Sequence, residues 1–412
     1  MKSKGGRGMT NKPQRFQRVK KFFGVNPSVL SMLGMVVLLG LGEKMGERFL
    51  PVYLIAIGGS VYAVGFLNAM DNFLSAIYSY VGGAISDRFG YKRALIAYTC
   101  VSLVGYLIVI VFPHWQAVLL GAIFFISWTA LSLPAILSLV SSTVKAEKQT
   151  MGVSLHSLVR RIPMALGPIL GAFFIQAYGI REGARIAFAF ALGLGIFALF
   201  FLWKFVEDKQ PVKSSTPNLF TTYRNMPSAL KTLLLSDIFV RFAEQIPYAF
   251  VVLWVMQVNE FPALSFSLLT LIEMVVAMLV YIPVAILNER TSSKTLVAIT
   301  FGFFTVFPWI LLMSKSMEML MFAFVIRGLK EFGEPTRKAL IVKLAPSGTK
   351  ASMFGTYYLL RDFVVSIVSL SSAYLWSLSP SANFITAGLL GLVGTCIFIF
   401  FGKDENTRVE TR

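Results

Sequence analysis

The chain has 412 residues, of which 56% are hydrophobic and only 14% are charged, and its mean hydropathy is +0.70. Soluble domains carry about 25% charged residues, so this composition excludes a soluble protein. The net charge of +18 would suit nucleic acid as a partner, but the basic residues lie mostly between apolar runs, which is typical of membrane topology. Cys100 and Cys396 stand in separate apolar stretches and predict neither a disulfide nor a metal site.

Apolar runs long enough to cross about 30 Å of hydrocarbon predict twelve membrane-spanning helices, called spans one to twelve. A basic tail, residues 1–24, precedes them and is predicted to be retained, because the apolar run behind it is too long for a signal-peptide core. The predicted spans are 28–56, 60–86, 91–112, 116–144, 150–176, 185–206, 229–256, 264–288, 294–313, 317–345, 351–376 and 382–402.

The distribution of basic residues predicts a protein of the cytoplasmic membrane with both termini in the cytoplasm. Of the 38 Lys and Arg residues, 25 lie in the tails and connections on the side of the termini. Only Arg181, Arg185 and Lys315 lie in connections on the other side. Cytoplasmic connections of membrane proteins carry this excess of basic residues. The basic tail would be solvated or would contact anionic lipid.

The longest connection, residues 207–228, predicts a linker between two related bundles, 25–206 and 229–402, with a second tail at 403–412. Like residues recur at offsets near 200 and in the same order, which indicates a parallel six-plus-six duplication. Such a duplication places the binding site between the repeats near the middle of the membrane. The matching pairs are Pro51 with Pro247, Arg48 with Glu244, Asp71 with Glu273, Pro134 with Pro335 and Arg160 with Arg361.

The loop between spans two and three, residues 83–93, reads GAISDRFGYKR. It resembles the signature loop of the major facilitator superfamily, G-x-x-x-D-[RK]-x-G-[RK]-[RK], and it stands where that family has it. The resemblance covers residues 25–402 and implies an all-α membrane transporter of two six-helix bundles whose loop holds the cytoplasmic side closed. For the basic residues, the positive-inside rule alone is the alternative. The implied gate residues are Gly83, Asp87, Arg88, Gly90, Lys92 and Arg93.

Two further segments relate to this family. In span five, residues 165–172 read ALGPILGA, which is similar in part to the G-P-x-x-G-G element of the drug and proton antiporter branch. The alternative is that Gly167 and Gly171 form a face for close helix packing. A second copy of the gate loop, residues 285–294, lacks both glycines, so a gate role is doubtful there.

Nineteen charged side chains fall within the predicted spans, although each costs about 2.5–3.5 kcal/mol at the centre of a bilayer. They must therefore face water or one another. Helical spacing gathers them on one face each of spans one, seven and ten, and the resemblance implies that these spans line the central cavity. The predicted solute-binding residues are Glu43, Glu47, Arg48, Arg160, Arg241, Glu244, Lys330, Glu331, Glu334 and Arg361.

The arginines at 160, 241 and 361 favour an anionic or zwitterionic solute, and internal ion pairing is the alternative for each charge. Arg161 and Asp362 are predicted to form ion pairs. Proton coupling requires a buried carboxylate that can change its charge near neutral pH, and the acids that are least obviously neutralised suit this role best. Asp71 on span two and Glu273 on span eight have no basic residue in their own helices, so they are the predicted proton carriers.

The predicted function is secondary active transport of a small organic solute by alternating access, coupled to protons. Export by antiport is favoured, and proton-coupled uptake is the alternative. A non-transporting receptor or assembly factor and a lipid flippase are the other classes considered. The sequence contains no catalytic triad, metal-ligand cluster or phosphate loop. The protein is thus predicted to be no enzyme and to bind no metal or cofactor. It is also predicted to be a monomer whose partners are the solute, protons and membrane lipid.

Overall fold

The computed structural model describes residues 27–126, 128, 131–132, 149–205, 219–287, 291–346 and 349–404. All regular secondary structure in these ranges is helical, and helix is found at the position of each predicted span. The protein is therefore an all-α membrane protein of two six-helix bundles, as the sequence predicts. The basic tail 1–24 lies outside the described residues, and so does most of the predicted linker.

The first bundle contains spans one to six. Spans five and six form one helical run that turns back at Gly179, whose φ of 77° lies in the region that favours glycine. Span one comprises Pro27–Glu47 and Leu50–Ala56, span two is Val61–Phe89, span three is Tyr91–Val111, span four begins as Trp115–Phe125, and spans five and six are Gln149–Phe205.

The second bundle contains spans seven to twelve and is preceded by a short helix, Leu219–Arg224, within the predicted linker. Span seven comprises Ser228–Gln245 followed by three short helical segments, Tyr248–Phe250, Val251–Leu253 and Trp254–Val258. Span eight is Ala263–Leu287. Span nine is Ser293–Met313, span ten comprises Met317–Leu329 and Glu334–Leu344, span eleven comprises Lys350–Ser369 and Ser371–Leu378, and span twelve is Pro380–Phe401.

Within the described ranges, seven helical segments are long and apolar enough to cross a membrane by length and composition. Spans one, two and ten are not among them, and one of the seven segments, Val159–Lys204, contains both span five and span six. Span four is described as a helix only over its first eleven residues.

The helices of spans one, seven and ten are interrupted next to their charged residues. Pro51 stands in the first turn after the break in span one, Pro247 follows Gln245 in span seven, and Pro335 stands in the first turn after the break in span ten. Proline cannot continue a helix because it has no N–H to donate. Non-helical backbone at membrane depth is tolerated where it lines a cavity or is buried in protein. The three breaks therefore indicate where a cavity lies.

The two bundles meet along two helix pairs, span two with span eleven and span five with span eight. A Cβ at Gly65 of span two would lie 2.5 Å from the Cβ of Ala373, so these helices are in close contact. At the other pair, the Ser267 hydroxyl lies 2.8 Å from the carbonyl oxygen of Pro168 and donates to it. Small side chains and interhelical hydrogen bonds are the means by which helices associate within lipid.

Among the described residues, the buried apolar cluster that contains residues of both bundles lies at one end of the molecule. The side of the molecule where residues 27 and 404 lie is called the terminal side, and the side at the other end of the spans is called the opposite side. At the opposite side one buried cluster contains residues of both bundles, including Phe49, Leu54, Phe250 and Phe266. Towards the terminal side the buried residues form clusters that each belong to a single bundle. The contact between bundles is thus closed by apolar packing at the opposite side.

Two of the three basic residues on the opposite side have a structural role at helix ends. Arg181 donates to the carbonyl oxygen of Ala56 at 2.6 Å, and Arg185 donates to that of Ile110 at 3.1 Å. The last carbonyls of a helix have no partner within the helix, and basic side chains stabilise them. These arginines therefore secure the ends of spans one and three.

We predict that Gly171→Ala destabilises the protein by about 1–3 kcal/mol, because overpacking displaces a neighbouring helix. A Cβ at this position would lie 2.2 Å from the carbonyl oxygen of Met45 in span one. Gly193→Ala in span six is the matched control, since its Cβ would meet nothing within 4 Å. Thermal unfolding in detergent measures both, and equal melting temperatures for the two variants would refute the packing argument.

Candidate functional site

A cavity lies between the two bundles at the level of the helix breaks. Its polar lining is Glu47 and Arg48 from span one, Asn68 and Asp71 from span two, Tyr248 from span seven and Arg327 from span ten. Its apolar lining comes from spans one, two, four, seven and eight. Those apolar residues are Leu50, Pro51, Leu67, Ile126, Ala249, Val251, Val252 and Phe266. The cavity therefore combines a few charges with a largely apolar wall, as small-molecule sites do.

The cavity is small, with a volume of about 50 Å³. An apolar cavity of about 150 Å³ holds a benzene molecule, so this one admits water but no organic solute of ordinary size. An organic solute can enter only when the bundles move apart.

Ten charged side chains within the spans of the second bundle form one continuous chain of alternating sign, called the charge ladder. It has five acidic and five basic members from spans seven, eight, ten and eleven, and every member lies within ion-pair distance of the next. In order of contact the ladder is Asp362, Arg361, Asp237, Arg337, Glu334, Arg241, Glu244, Lys330, Glu273 and Arg327. Its last member lines the cavity.

Asp237 is the most buried part of the ladder, with a side chain that is 1% exposed. Its Oδ2 accepts from Arg337, from Arg361 at 3.4 Å and from the Tyr357 hydroxyl at 2.9 Å, whereas its Oδ1 has no partner. Breaking a buried ion pair leaves an uncompensated charge, which costs far more than the pair contributes. Asp237 thus ties spans seven, ten and eleven together.

The first bundle has fewer charges, and they pair over short distances. Lys44 bonds to Glu43 at 3.0 Å and also to Glu47, both on its own helix. Arg161 of span five pairs with Glu331 of span ten at 2.6 Å, which joins the two bundles. This last pair must break whenever the bundles separate at that level.

Arg48 and Asp71 differ from the other cavity charges, because neither lies within ion-pair distance of an opposite charge in the described ranges. The Arg48 Nε is buried without a hydrogen-bond partner, and its guanidinium lies 5.6 Å from the centre of the Tyr248 ring. Asp71 accepts only a long bond of 3.5 Å from Ser75. Both line the cavity, so two charges are available there for a ligand or a proton.

Several predicted solute contacts are committed to ion pairs instead. Arg241 bonds to Glu244 and lies 3.8 Å from Glu334, and Arg361 pairs with Asp362 at 2.7 Å. Carboxylates from other helices neutralise these arginines, so the prediction that they are free for an anion is not supported by the geometry. Arg160 lies half-buried beside Arg161 and does not line the cavity.

The expectation that Glu273 has no counter-charge is wrong. Its Oε1 lies 3.3 Å from Arg327 Nε and 3.5 Å from Lys330 Nζ, although its own helix contains no base. Span ten supplies both cations, and helical spacing within span eight cannot indicate this. Arg327 itself was outside the predicted solute contacts, and only its place on the charged stripe of span ten pointed to it. Arg161 and Asp362 form ion pairs with Glu331 and Arg361, not with each other.

The gate loop is described in part. Gly90 joins the helices of spans two and three with φ 91° and ψ 149°, a conformation open to glycine, so a tight turn is formed there. Arg88 and Arg93 are exposed and Lys92 is half-buried. The side-chain surroundings of Gly83 and Asp87 lie outside the described residues, as does most of the second copy of the loop. The close helix approach is seen at Gly82, where a Cβ would lie 2.4 Å from the Leu131 carbonyl oxygen.

The glycines of span five are explained by packing against span one. A Cβ at Gly167 would lie 2.8 Å from the Lys44 Cβ, and one at Gly171 would meet the Met45 carbonyl oxygen. Close approach requires small residues at both positions. The structure accounts for this element without an antiport function.

Comparison with known proteins gives one family. The sequence model described as Major Facilitator Superfamily matches residues 28–236, just over half of the chain. The uncharacterized MFS-type transporter MJ1317 of Methanocaldococcus jannaschii is 21% identical over 382 residues, which cover 87% of this chain and 91% of that protein. The multi-drug resistance efflux pump PmrA of Streptococcus pneumoniae is 26% identical over 222 residues, covering 50% of this chain and 53% of the pump.

Solved structures share the fold at low sequence identity. The nucleoside transporter NupG superposes with a TM-score of 0.78 at 9% identity, over 92% of this chain and all of that chain. A peptide transporter POT in complex with sulfate superposes with a TM-score of 0.73 at 14% identity, over 92% and 94% of the two chains. These likenesses show the fold alone.

We predict that Asp237→Asn lowers the free energy of unfolding by about 3–5 kcal/mol, because two buried arginines lose their shared counter-charge. Glu182→Gln is the control, since it removes an exposed ion pair with Arg185 that contributes about 0–1 kcal/mol. Unfolding of both variants by a denaturing detergent measures the difference. A loss below about 1 kcal/mol for Asp237→Asn would show that the ladder does not hold the bundle together.

Proposed function

The chain belongs to the major facilitator superfamily, and we propose that it is a secondary transporter that moves a small organic anion or zwitterion in exchange with, or together with, protons. The observation that carries this proposal is that Arg48 and Asp71, of opposite charge and without ion-pair partners in the described ranges, line one cavity between the two bundles. A static scaffold would be better served by apolar packing at these positions.

Arg48 is suited to bind the solute. Its planar guanidinium presents several N–H donors and stays charged at any physiological pH, so a carboxylate is a fitting partner. The Tyr248 ring holds the guanidinium by a cation–π contact without using up its hydrogen bonds. The remaining wall is apolar and would contact the body of an organic solute.

Asp71 is suited to carry the proton. A proton carrier must exist in both the charged and the neutral form during the cycle, and a carboxylate locked into an ion pair exists only as the charged form. Asp71 is the lining carboxylate for which the described ranges contain no base within ion-pair distance, whereas Glu47 bonds to Lys44. Glu273 is held between two bases and is less suited to this role.

Alternating access is supported by the unequal contact between the bundles. The apolar cluster joins them at the opposite side, whereas the cores towards the terminal side are separate. Closure of the terminal side would bring the bundles together there and open the apolar cluster. The gate loop at residues 83–93 and the Arg161–Glu331 pair lie where this movement would be controlled.

Two directions of transport fit this site. Export by exchange for protons is supported by the similarity to PmrA, which is a multi-drug resistance efflux pump. Uptake of an anion together with a proton is supported by the presence of Arg48 and Asp71 in one cavity, since both species can then be carried in one step. We place the protein as a monomer in the cytoplasmic membrane with both termini in the cytoplasm, as the basic residues favour.

We predict that Asp71→Asn abolishes solute movement driven by a pH gradient but preserves exchange of solute at equal pH, because the side chain can no longer change its charge. Proteoliposomes loaded with labelled carboxylates and amino acids measure both activities. Glu318→Gln, which removes an exposed carboxylate at the opposite side, is the control and should retain both.

Undiminished gradient-driven accumulation in Asp71→Asn would remove Asp71 as the proton carrier. Absence of any solute-dependent proton flux in the unaltered protein, over a broad set of solutes, would favour a receptor or assembly factor of the same fold.

A further inference from the structure

Glu273 is surrounded by cations, and both of its ion-pair contacts to them are long. Arg327 and Lys330 contact its Oε1 at 3.3 and 3.5 Å, which are long for charge-assisted bonds, and its Oε2 is buried without a partner. Glu273 also lies within electrostatic range of Arg48 on span one. A buried carboxylate with one unsatisfied oxygen is a poorly stabilised ion.

Arg48 and Arg327 come from different bundles, contact the same aromatic ring and line the same cavity. Both guanidinium groups lie against the Tyr248 ring, at 5.6 and 5.8 Å from its centre, and both line the cavity. Arg327 is 4% exposed, and the rings of Phe307 and Phe324 also pack against it. Two arginines on one aromatic ring repel each other unless an anion lies between or beside them. In this structure Glu273 is the carboxylate that contacts one of the two.

We propose that a carboxylate group of the solute binds between Arg48 and Arg327 and takes the place of Glu273 as the counter-ion of Arg327. This inference rests on the proposed transport function and names its substrate class, a monocarboxylate with an apolar body. Glu273 neutralises Arg327 while the site is empty, so that Arg327 keeps a counter-charge. Because the two arginines belong to different bundles, the bound carboxylate links the bundles.

The other lining residues restrict the solute to one negative charge. Glu47 and Asp71 are acidic and face the same cavity, so a second negative charge on the solute would be repelled. The apolar wall, with Leu67, Ile126 and Phe266 among its members, disfavours a polar body. A dicarboxylate or a phosphate monoester therefore fits less well than a monocarboxylate of similar size.

Calorimetric titration of the purified protein in detergent tests the proposal, with acetate, hexanoate and benzoate as monocarboxylates. Succinate and benzylamine serve as the doubly charged and the cationic comparison. We expect hexanoate or benzoate to bind and the two comparison compounds to bind at least about tenfold more weakly. Arg48→Gln and Arg327→Gln should each weaken monocarboxylate binding by about tenfold to a hundredfold, because each removes a charge-assisted bond.

Glu273→Gln is the decisive variant, because it is expected to tighten binding by about threefold or more. Removing the resident competitor raises the fraction of molecules whose Arg327 is free. A gain of affinity cannot result from misfolding. Lys338→Gln and Glu318→Gln on span ten, the span of Arg327, are the controls, since the first side chain is 51% exposed and the second is exposed at the opposite side. Neither should change the dissociation constant by more than about twofold.

Unchanged or weaker binding in Glu273→Gln overturns the proposal, as does binding of succinate or benzylamine in preference to every monocarboxylate. Failure of all the monocarboxylates to bind the unaltered protein overturns it as well. These results leave the transport function standing if proteoliposomes show proton-coupled movement of another solute. If no solute moves protons, the transport function itself fails, so the two failures are distinguishable.

Discussion

The cost of placing charge within a membrane governs this structure. Each isolated charge at the centre of a bilayer costs about 2.5–3.5 kcal/mol, so a chain with many such charges folds only if they compensate one another. In the second bundle the charge ladder provides that compensation, since its five acids and five bases alternate from Asp362 to Arg327. At the cavity Arg48 and Asp71 depart from this rule. Because the ladder charges are paired, the absence of ion-pair partners at Arg48 and Asp71 within the described ranges indicates a role in binding.

The same constraint shapes the backbone and the packing. Spans one, seven and ten are broken beside their charges, and the breaks in spans one and seven lie against the cavity, where unpaired backbone groups are tolerated. Apolar residues of both bundles merge into one cluster at the opposite side, whereas the cores towards the terminal side remain separate. Within each bundle, contacts at helix ends, close helix packing at glycines and ion pairs hold the helices together. Several polar contacts cross the interface between the bundles, among them Asn68 to the Gln245 carbonyl oxygen at 2.7 Å and Arg161 to Glu331 at 2.6 Å.

Much of the fold could be predicted from the sequence, because long apolar runs indicate membrane-spanning helices. In addition, the charges on spans one, seven and ten follow helical spacing. The pairing could not be predicted, because partners come from other helices. Glu273 illustrates this limit, since its own span contains no base and its two counter-charges arrive from span ten. Arg48 illustrates the converse. Its neighbours along span one include two acids, yet Lys44 binds both, and only the three-dimensional arrangement shows that Arg48 is left over.

Alternating access requires the two bundles to move relative to each other around the cavity. Distances between spin labels on the two sides measure this movement most directly. After Cys100 and Cys396 are replaced by serine, one label pair at His114 and Lys315 reports the opposite side, and a second pair at Lys204 and Lys343 reports the terminal side. We expect that addition of a bound solute at acidic pH lengthens the first distance and shortens the second. If a solute binds and both distances stay unchanged, or change in the same direction, the bundles do not alternate and the account is contradicted.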